Sequence, residues 1–139
     1  MLSLEIVTPQ RKVLEAQTEW VTLPGSEGEM GILPEHIPLV TTLETGIVTY
    51  AGEQGNQSLA VHWGYAQVEK NRVTVLAELA ESAEDIDVER ARDAETRAKE
   101  ELSQINLSAD DWESEKRRLN KYEFKLKRSL VRQQASSLK

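Results

Sequence analysis

The sequence contains no cysteine, only one phenylalanine, and no glycine or proline in its last 75 residues. Without cysteine the chain has no disulfide framework, no thiolate nucleophile and no cysteine-based metal site. No apolar run approaches the roughly 18 residues that a membrane-spanning helix needs. The N-terminus lacks the basic, apolar pattern of a secretion signal and the Arg/Ser-rich pattern of a transit peptide. We therefore expect a cytoplasmic protein.

Positive charge is scarce until the end of the chain. The net charge is −6 over residues 1–80, −9 over residues 81–115 and +8 over residues 116–139. A total of −7 argues against general nucleic-acid binding. The 13 acidic residues in 81–115 also argue against a nucleic-acid-binding tail. The basic segment therefore needs an anionic partner inside or outside this chain.

Turn-forming residues divide the chain in two. All seven glycines and four prolines lie between Pro9 and Gly64, so the first part turns often. Residues 2–80 read as short strands, beginning with apolar residues at every second position from Leu2 to Ile6. Gly52–Asn56 and Lys70–Asn71 are typical of hairpin turns. The pattern predicts an antiparallel β-sandwich or flattened barrel over residues 1–84.

The period changes to that of a helix after residue 86. Asp87 stands at a predicted N-cap, and Ser108–Asp111 is typical of a capping box for a second helix. One apolar face comprises Val88, Ala91, Ala94, Ala98, Leu102 and Ile105, and the other Trp112, Leu119, Tyr122, Leu126 and Leu130. The short connection predicts an antiparallel helical hairpin over residues 85–139. The charged outer faces suggest that this hairpin can detach from the sandwich.

No catalytic or metal-binding pattern stands out. The glycine-rich stretch Gly25–Gly31 has no lysine, and its glutamates would repel phosphate, so it is not a phosphate loop. His36 and His62 have no partner at metal-ligand spacing, and each is expected to be exposed or satisfied by a hydrogen bond. We predict no catalytic residue, no metal site and no enzymatic activity for the isolated chain.

Two segments carry a resemblance to a known family. They are GSEGEMGILPEHIPLVT at residues 25–41 and IDVERA at residues 86–91. With the strand-rich front and the two-helix back, they resemble the epsilon subunit of the bacterial F-type ATP synthase along the whole chain. The resemblance implies a sandwich of about ten antiparallel strands followed by the helical hairpin.

The resemblance also implies partners. In this family the sandwich joins the central stalk and contacts the gamma subunit and the membrane ring of c subunits. The stalk-foot loop corresponds to residues 27–36, with Glu29 facing the c ring and His36 and Pro38 near gamma. The implied location is the cytoplasmic face of the cell membrane, reached only through the complex.

The family's hairpin has two states. Folded on the sandwich it permits rotation, and extended along gamma it inhibits ATP hydrolysis. The charge pattern suits such an exchange, because the basic helix can leave its own acidic segment for the acidic loop of the beta subunits. Surface ion pairs are worth only about 0–1 kcal/mol each, so the two states can be nearly balanced.

Some family members bind ATP in the folded hairpin, without hydrolysing it, through the pattern [IL]DxxRA. Here Ile86, Asp87, Arg90 and Ala91 fit that pattern, and Arg97 follows two turns after Arg90 on the same face. Glu81 corresponds to an acid on the adenine side. On the second helix Arg128 and Arg132 resemble the phosphate-binding pair, since the guanidinium fork suits phosphate oxygens. The sequence leaves open whether Mg²⁺ accompanies the nucleotide.

Other interpretations remain open. Arg90, Arg97, Arg128 and Arg132 can instead pair with Asp87, Asp93, Glu89 and Glu123 on solvated faces. The chain can be a rigid coupling subunit without nucleotide binding. It can also be a general adaptor that binds one protein through the sandwich and another through the hairpin.

Overall fold

The computed structural model describes residues 1–108 and 110–138, so Ala109 and Lys139 of the predicted hairpin lie outside the described residues. A β-sandwich is followed by two helices, which confirms the predicted fold class. The strands are β1 (Leu2–Val7), β2 (Lys12–Thr18), β3 (Val21–Gly25), β4 (Gly28–Ile32), β5 (Leu39–Leu43), β6 (Gly46–Gly52), β7 (Gly55–Glu69) and β8 (Arg72–Ser82). A 3₁₀ turn, Ala83–Asp85, leads to α1 (Val88–Ser103) and α2 (Trp112–Ser137).

The described residues form eight strands rather than about ten, because β7 and β8 are long. β7 pairs with β6 through residues 55–61 and with β5 through residues 64–68, while β8 follows its other edge. Along this edge β7 therefore does the pairing of two shorter strands. The turn between them is the predicted one, with Lys70 and Asn71 at φ values of 50° and 60°.

One strand pair differs from the antiparallel expectation. β1 and β8 run parallel, with Ser3 opposite Arg72 and Val7 opposite Leu76. A parallel pair needs a long connection, and these two strands satisfy that condition because they are the first and last of the sandwich. The expectation of a wholly antiparallel sandwich is therefore wrong at this pair.

Alternation along the strands builds the core of the sandwich. Leu2, Leu4 and Ile6 are fully buried, as their period of two predicts. Gly64 marks a close approach of the two long strands. A Cβ at this position would meet the carbonyl oxygen of Leu76, so only glycine fits there.

The first helix follows its predicted pattern. The Asp87 carboxylate accepts a hydrogen bond from the backbone N–H of Arg90 at 3.1 Å, which confirms it as the N-cap of α1. Ala91 and Ala98 are buried where α1 packs against α2. Small side chains at these positions let the two helix backbones approach closely.

The second helix departs from its predicted pattern at both ends. Asp111 is its N-cap without a side-chain hydrogen bond, and the Ser108 hydroxyl donates to Asn106 Oδ1, so the capping-box prediction is wrong. Ala109 of that motif lies outside the described residues. Near the other end Leu130 is 44% exposed, whereas Val131 is buried. The buried face is rotated there because α2 contacts the sandwich as well as α1.

Candidate functional site

The hairpin rests on the sandwich through a small apolar contact, which we call the docking seam. Ala60 of β7, Ile86, and Val131 and Ala135 of α2 form a buried cluster, with Ile47 of β6 packed against it. This cluster is separate from the sandwich core, which contains 17 buried residues. Because burial scales with apolar area, the seam contributes far less stability than the core.

Ion pairs reinforce the docking seam. Among the described residues, three basic side chains of α2 reach acids of the sandwich, and one reaches an acid of α1. The pairs are Lys127–Glu44 at 2.8 Å, Arg128–Glu78 at 4.0 Å, Arg132–Glu81 at 2.7 Å and, between the helices, Arg118–Glu101 at 2.8 Å. Opposite charges thus pair within the chain, but mainly between α2 and the sandwich rather than between the two helices.

Glu81 lies at the centre of the most enclosed of these contacts. Its Oε1 accepts hydrogen bonds from Arg132 Nε at 2.7 Å and from His62 Nε2 at 2.9 Å. Burial by itself raises the pKa of Glu81, but the hydrogen bonds and charges of His62 and Arg132 outweigh it and lower the pKa to about 2. Glu81 is therefore an ionised carboxylate. His62 is fully buried; its Nε2 bonds to Glu81, whereas its buried Nδ1 has no hydrogen-bond partner among the described residues.

The arginines expected to bind phosphate fall into two groups. Arg90 and Arg97 are exposed on α1, and within residues 1–108 and 110–138 their guanidinium groups make no hydrogen bond or ion pair. Arg128 stacks on Phe124, 4.3 Å from the ring centre, and its buried Nε has no partner among the described residues. Arg132 already binds Glu81. In the described part of the chain, none of the four guanidinium groups forms an ion pair with Asp87, Asp93, Glu89 or Glu123.

The remaining residues of the IDVERA segment have structural roles. Ile86 is 7% exposed in the docking seam and Ala91 is 3% exposed between the helices. The Asp87 carboxylate is used as the N-cap. The structure therefore brings Glu81 and Arg132 into contact, whereas it leaves Arg90 and Arg97 open on the surface of α1.

Residues 27–36, expected to form the stalk-foot loop, comprise β4, whose Ile32 is buried in the core, and a braced, exposed turn after it. Glu29 and Pro38 are exposed and His36 is half-buried. Asn71, in the β7–β8 turn, accepts from the backbone N–H of Glu35 at 2.7 Å and donates to the Glu35 carboxylate at 3.3 Å. Sequence reasoning missed this brace, and it also missed three exposed apolar side chains around the loop: Leu33, Ile37 and Val40.

Within the described ranges, 1–108 and 110–138, no helix is long and apolar enough to cross a membrane. The same ranges contain no group of three or more His, Asp or Glu residues placed to hold a metal ion.

Comparison of the sequence with known families gives a consistent result. Residues 1–83 match the model of the ATP synthase, Delta/Epsilon chain, beta-sandwich domain. The ATP synthase epsilon chain of Nitratidesulfovibrio vulgaris is 49% identical over 109 residues, which cover 78% of this chain and 81% of that one. The ATP synthase epsilon chain of Geotalea daltonii is 41% identical over 135 residues, covering 97% of this chain and 93% of the relative.

Solved structures share the fold. A chain of the Euglena gracilis mitochondrial ATP synthase, from a structure of OSCP/F1/c-ring, matches with a TM-score of 0.78 and 24% identity, covering 99% of this chain and 81% of that chain. A chain from the central stalk/c-ring structure of the Tetrahymena thermophila mitochondrial ATP synthase matches with a TM-score of 0.60 and 12% identity, covering 97% and 96%. The likeness extends over both the sandwich and the hairpin.

Proposed function

Because this chain belongs to the family of ATP synthase epsilon chains, we propose that it is a non-catalytic subunit of the central stalk of an F-type ATP synthase. It couples the catalytic head to the c ring and lies at the cytoplasmic face of the cell membrane through that complex alone. The observation that carries the proposal is the full-length match at 41% identity, which includes the hairpin as well as the sandwich.

The proposed rotor surface is the stalk-foot loop with its neighbours. Glu29 faces the c ring, and His36 and Pro38 face gamma. Leu33, Ile37 and Val40, which lie close together in the sequence, are exposed, and a contact with a partner protein would cover them.

Association with gamma tests this assignment. The full chain should form a stable complex with purified gamma in size-exclusion chromatography, and Ile37→Asp should weaken it at least about tenfold. Gln54→Asp, in the exposed turn between β6 and β7, is the matched control and should leave the complex intact. A chain that ignores gamma favours the general adaptor instead.

We further propose that the hairpin inhibits ATP hydrolysis when it leaves the sandwich and extends along gamma. Its small docking seam supports this proposal, because little apolar area opposes release. The exposed basic face of α2 would then meet the acidic loop of the beta subunits. Replacing Lys116, Arg117 and Lys121 with glutamine should raise the hydrolysis rate of the assembled enzyme. An unchanged rate favours a rigid coupling subunit.

ATP is proposed as the ligand that stabilises the folded hairpin. Among the described residues, the guanidinium groups of Arg90 and Arg97 make no hydrogen bond or ion pair and the buried Nε of Arg128 has no partner, so these donors suit phosphate oxygens. Arg132 would reach the phosphates with its Nη groups while its Nε stays bonded to Glu81, and the base would lie at the acidic end near Glu81 and Asp87. ATP at 100 times its dissociation constant would stabilise the folded state by about 2.7 kcal/mol.

Calorimetry on the full chain tests the ATP proposal. Titration with ATP, in EDTA and in Mg²⁺, should give heat that fits a dissociation constant between millimolar and micromolar. Arg90→Ala should lose that heat. Arg92→Ala, on the same helix with its guanidinium paired to Glu89 at 3.0 Å, should retain it. Equal binding by both variants would end the ATP proposal.

A further inference from the structure

Three side chains from three elements meet at one oxygen atom beside the docking seam. His62 lies on β7, Glu81 on β8 and Arg132 on α2. Both nitrogens, His62 Nε2 and Arg132 Nε, donate to Glu81 Oε1, at 2.9 Å and 2.7 Å. A carboxylate only accepts, so His62 Nε2 is the donor in this contact. Two members of this triad belong to the sandwich and one belongs to the hairpin.

The two sandwich members cannot leave without opening the sheet. His62 is paired with Leu79 and Glu81 with Ala60 in the ladder between β7 and β8. His62 is also fully buried. Arg132, in contrast, is carried by α2, which the small docking seam and its ion pairs attach to the sandwich. Separation of the hairpin would therefore break the bond of Glu81 to Arg132 and leave its bond to His62 in place.

The triad is more enclosed than the other ion pairs across the seam. The side chains of Arg132 and Glu81 are 27% and 22% exposed. Lys127 and Glu44 are 48% and 51% exposed, so water and salt screen their interaction. Arg128 and Glu78 are 4.0 Å apart, beyond hydrogen-bond distance. The Arg132–Glu81 pair should therefore contribute more to holding α2 on the sandwich than either of the other two pairs.

We propose that His62 and Glu81 form a preassembled receptor for Arg132, and that this contact is the latch that holds the hairpin on the sandwich. Glu81 is the anionic half of the latch. His62 is a positioning residue, which holds the Glu81 carboxylate so that its oxygen faces α2. This inference concerns the conformation of the chain alone and does not require a nucleotide or an assembled complex.

Hydrogen exchange of the full chain tests the latch. In Glu81→Gln, the amides of residues 126–137 should open about 10- to 100-fold more often, because a charge-assisted bond is lost and Arg132 is left unpaired. The amides of β7 and β8 should keep their protection. Glu44→Gln, which removes the exposed partner of Lys127, is the control and should change opening less than about threefold. Equal effects of the two substitutions would overturn the latch.

A double substitution tests whether the two groups act together. Arg132→Gln should raise the opening of the α2 amides as much as Glu81→Gln does. The double variant should show no more opening than the more strongly affected single variant. Multiplied effects of the two substitutions would mean that each side chain acts on its own, which refutes the latch. All of these side chains lie outside the sandwich core, so the strands should stay folded in each variant.

The positioning role of His62 needs its own readout. His62→Gln keeps an N–H donor and should raise the opening of the α2 amides less than about threefold. His62→Leu removes the donor and should approach the effect of Glu81→Gln. The effect of Arg132→Gln should shrink in the His62→Leu background. Equal opening in the two His62 variants, or opening that affects the strands to the same extent, would overturn the positioning role.

Discussion

Shortening Val131 to alanine should release the hairpin without unfolding the sandwich. Val131 is 8% exposed and packs in the docking seam with Ala60 and Ile86. Removing two carbon atoms costs about 1.6 kcal/mol of transfer free energy, plus a contribution from the cavity. The higher helix propensity of alanine returns about 0.5 kcal/mol. The net loss of about 1–2 kcal/mol corresponds to a roughly 5- to 30-fold rise in opening of the hairpin.

Native-state hydrogen exchange measures this opening directly. The α2 amides of Val131→Ala should exchange faster by that factor, while the amides of β7 and β8 keep their rates. The neighbouring Leu130→Ala is the matched control, because Leu130 is 44% exposed and surface truncations change stability by less than about 0.5 kcal/mol. The reverse order, with Leu130→Ala the more disruptive change, would refute the structural assignment and restore the face predicted from the sequence.

Three further changes have defined outcomes. Acid titration should remove roughly 3 kcal/mol of the free energy of unfolding between about pH 4.5 and pH 2, because the ionised Glu81, with its lowered pKa, stabilises the folded chain fully only above that range. Thermal melts of Glu81→Gln should lack this pH-dependent loss of stability. Gly64→Ala should destabilise the sandwich by more than about 3 kcal/mol in urea, because its Cβ would strike the backbone of Leu76, whereas Gly31→Ala meets nothing within 4 Å and should be nearly neutral. Asp87→Ala should cost about 1 kcal/mol of α1 stability by circular dichroism, and the capping asparagine of Asp87→Asn should restore most of it.

Local signals in the sequence predicted most of the sandwich. The alternation of Leu2, Leu4 and Ile6 and the turn at Lys70–Asn71 depend on neighbouring residues, and each is found as predicted. The parallel pairing of β1 with β8 joins segments about 70 residues apart, so no local pattern reports it. The count of about ten strands came from the family resemblance, whereas the described residues form eight because β7 changes partners partway along its length.

The candidate site was predicted less completely. The IDVERA segment and the arginines of α2 could be found by their resemblance to the family. The contact between Glu81 and Arg132 spans 51 positions and depends on how α2 lies on the sandwich, so the sequence could not give it. Helical periodicity placed Leu130 inside because it assumed one partner for α2, whereas the last turns of this helix have two.

The alanines between the helices have a mechanical consequence. Ala91 and Ala98 are almost completely buried, and alanine has no side-chain torsion to freeze. Holding α1 against α2 therefore carries almost no entropic cost at these contacts, and their close approach resists bending. When the hairpin separates from the sandwich, α1 and α2 should therefore move together as one rigid body. A force on the loop between the helices would then be transmitted to the junction of α1 with the sandwich.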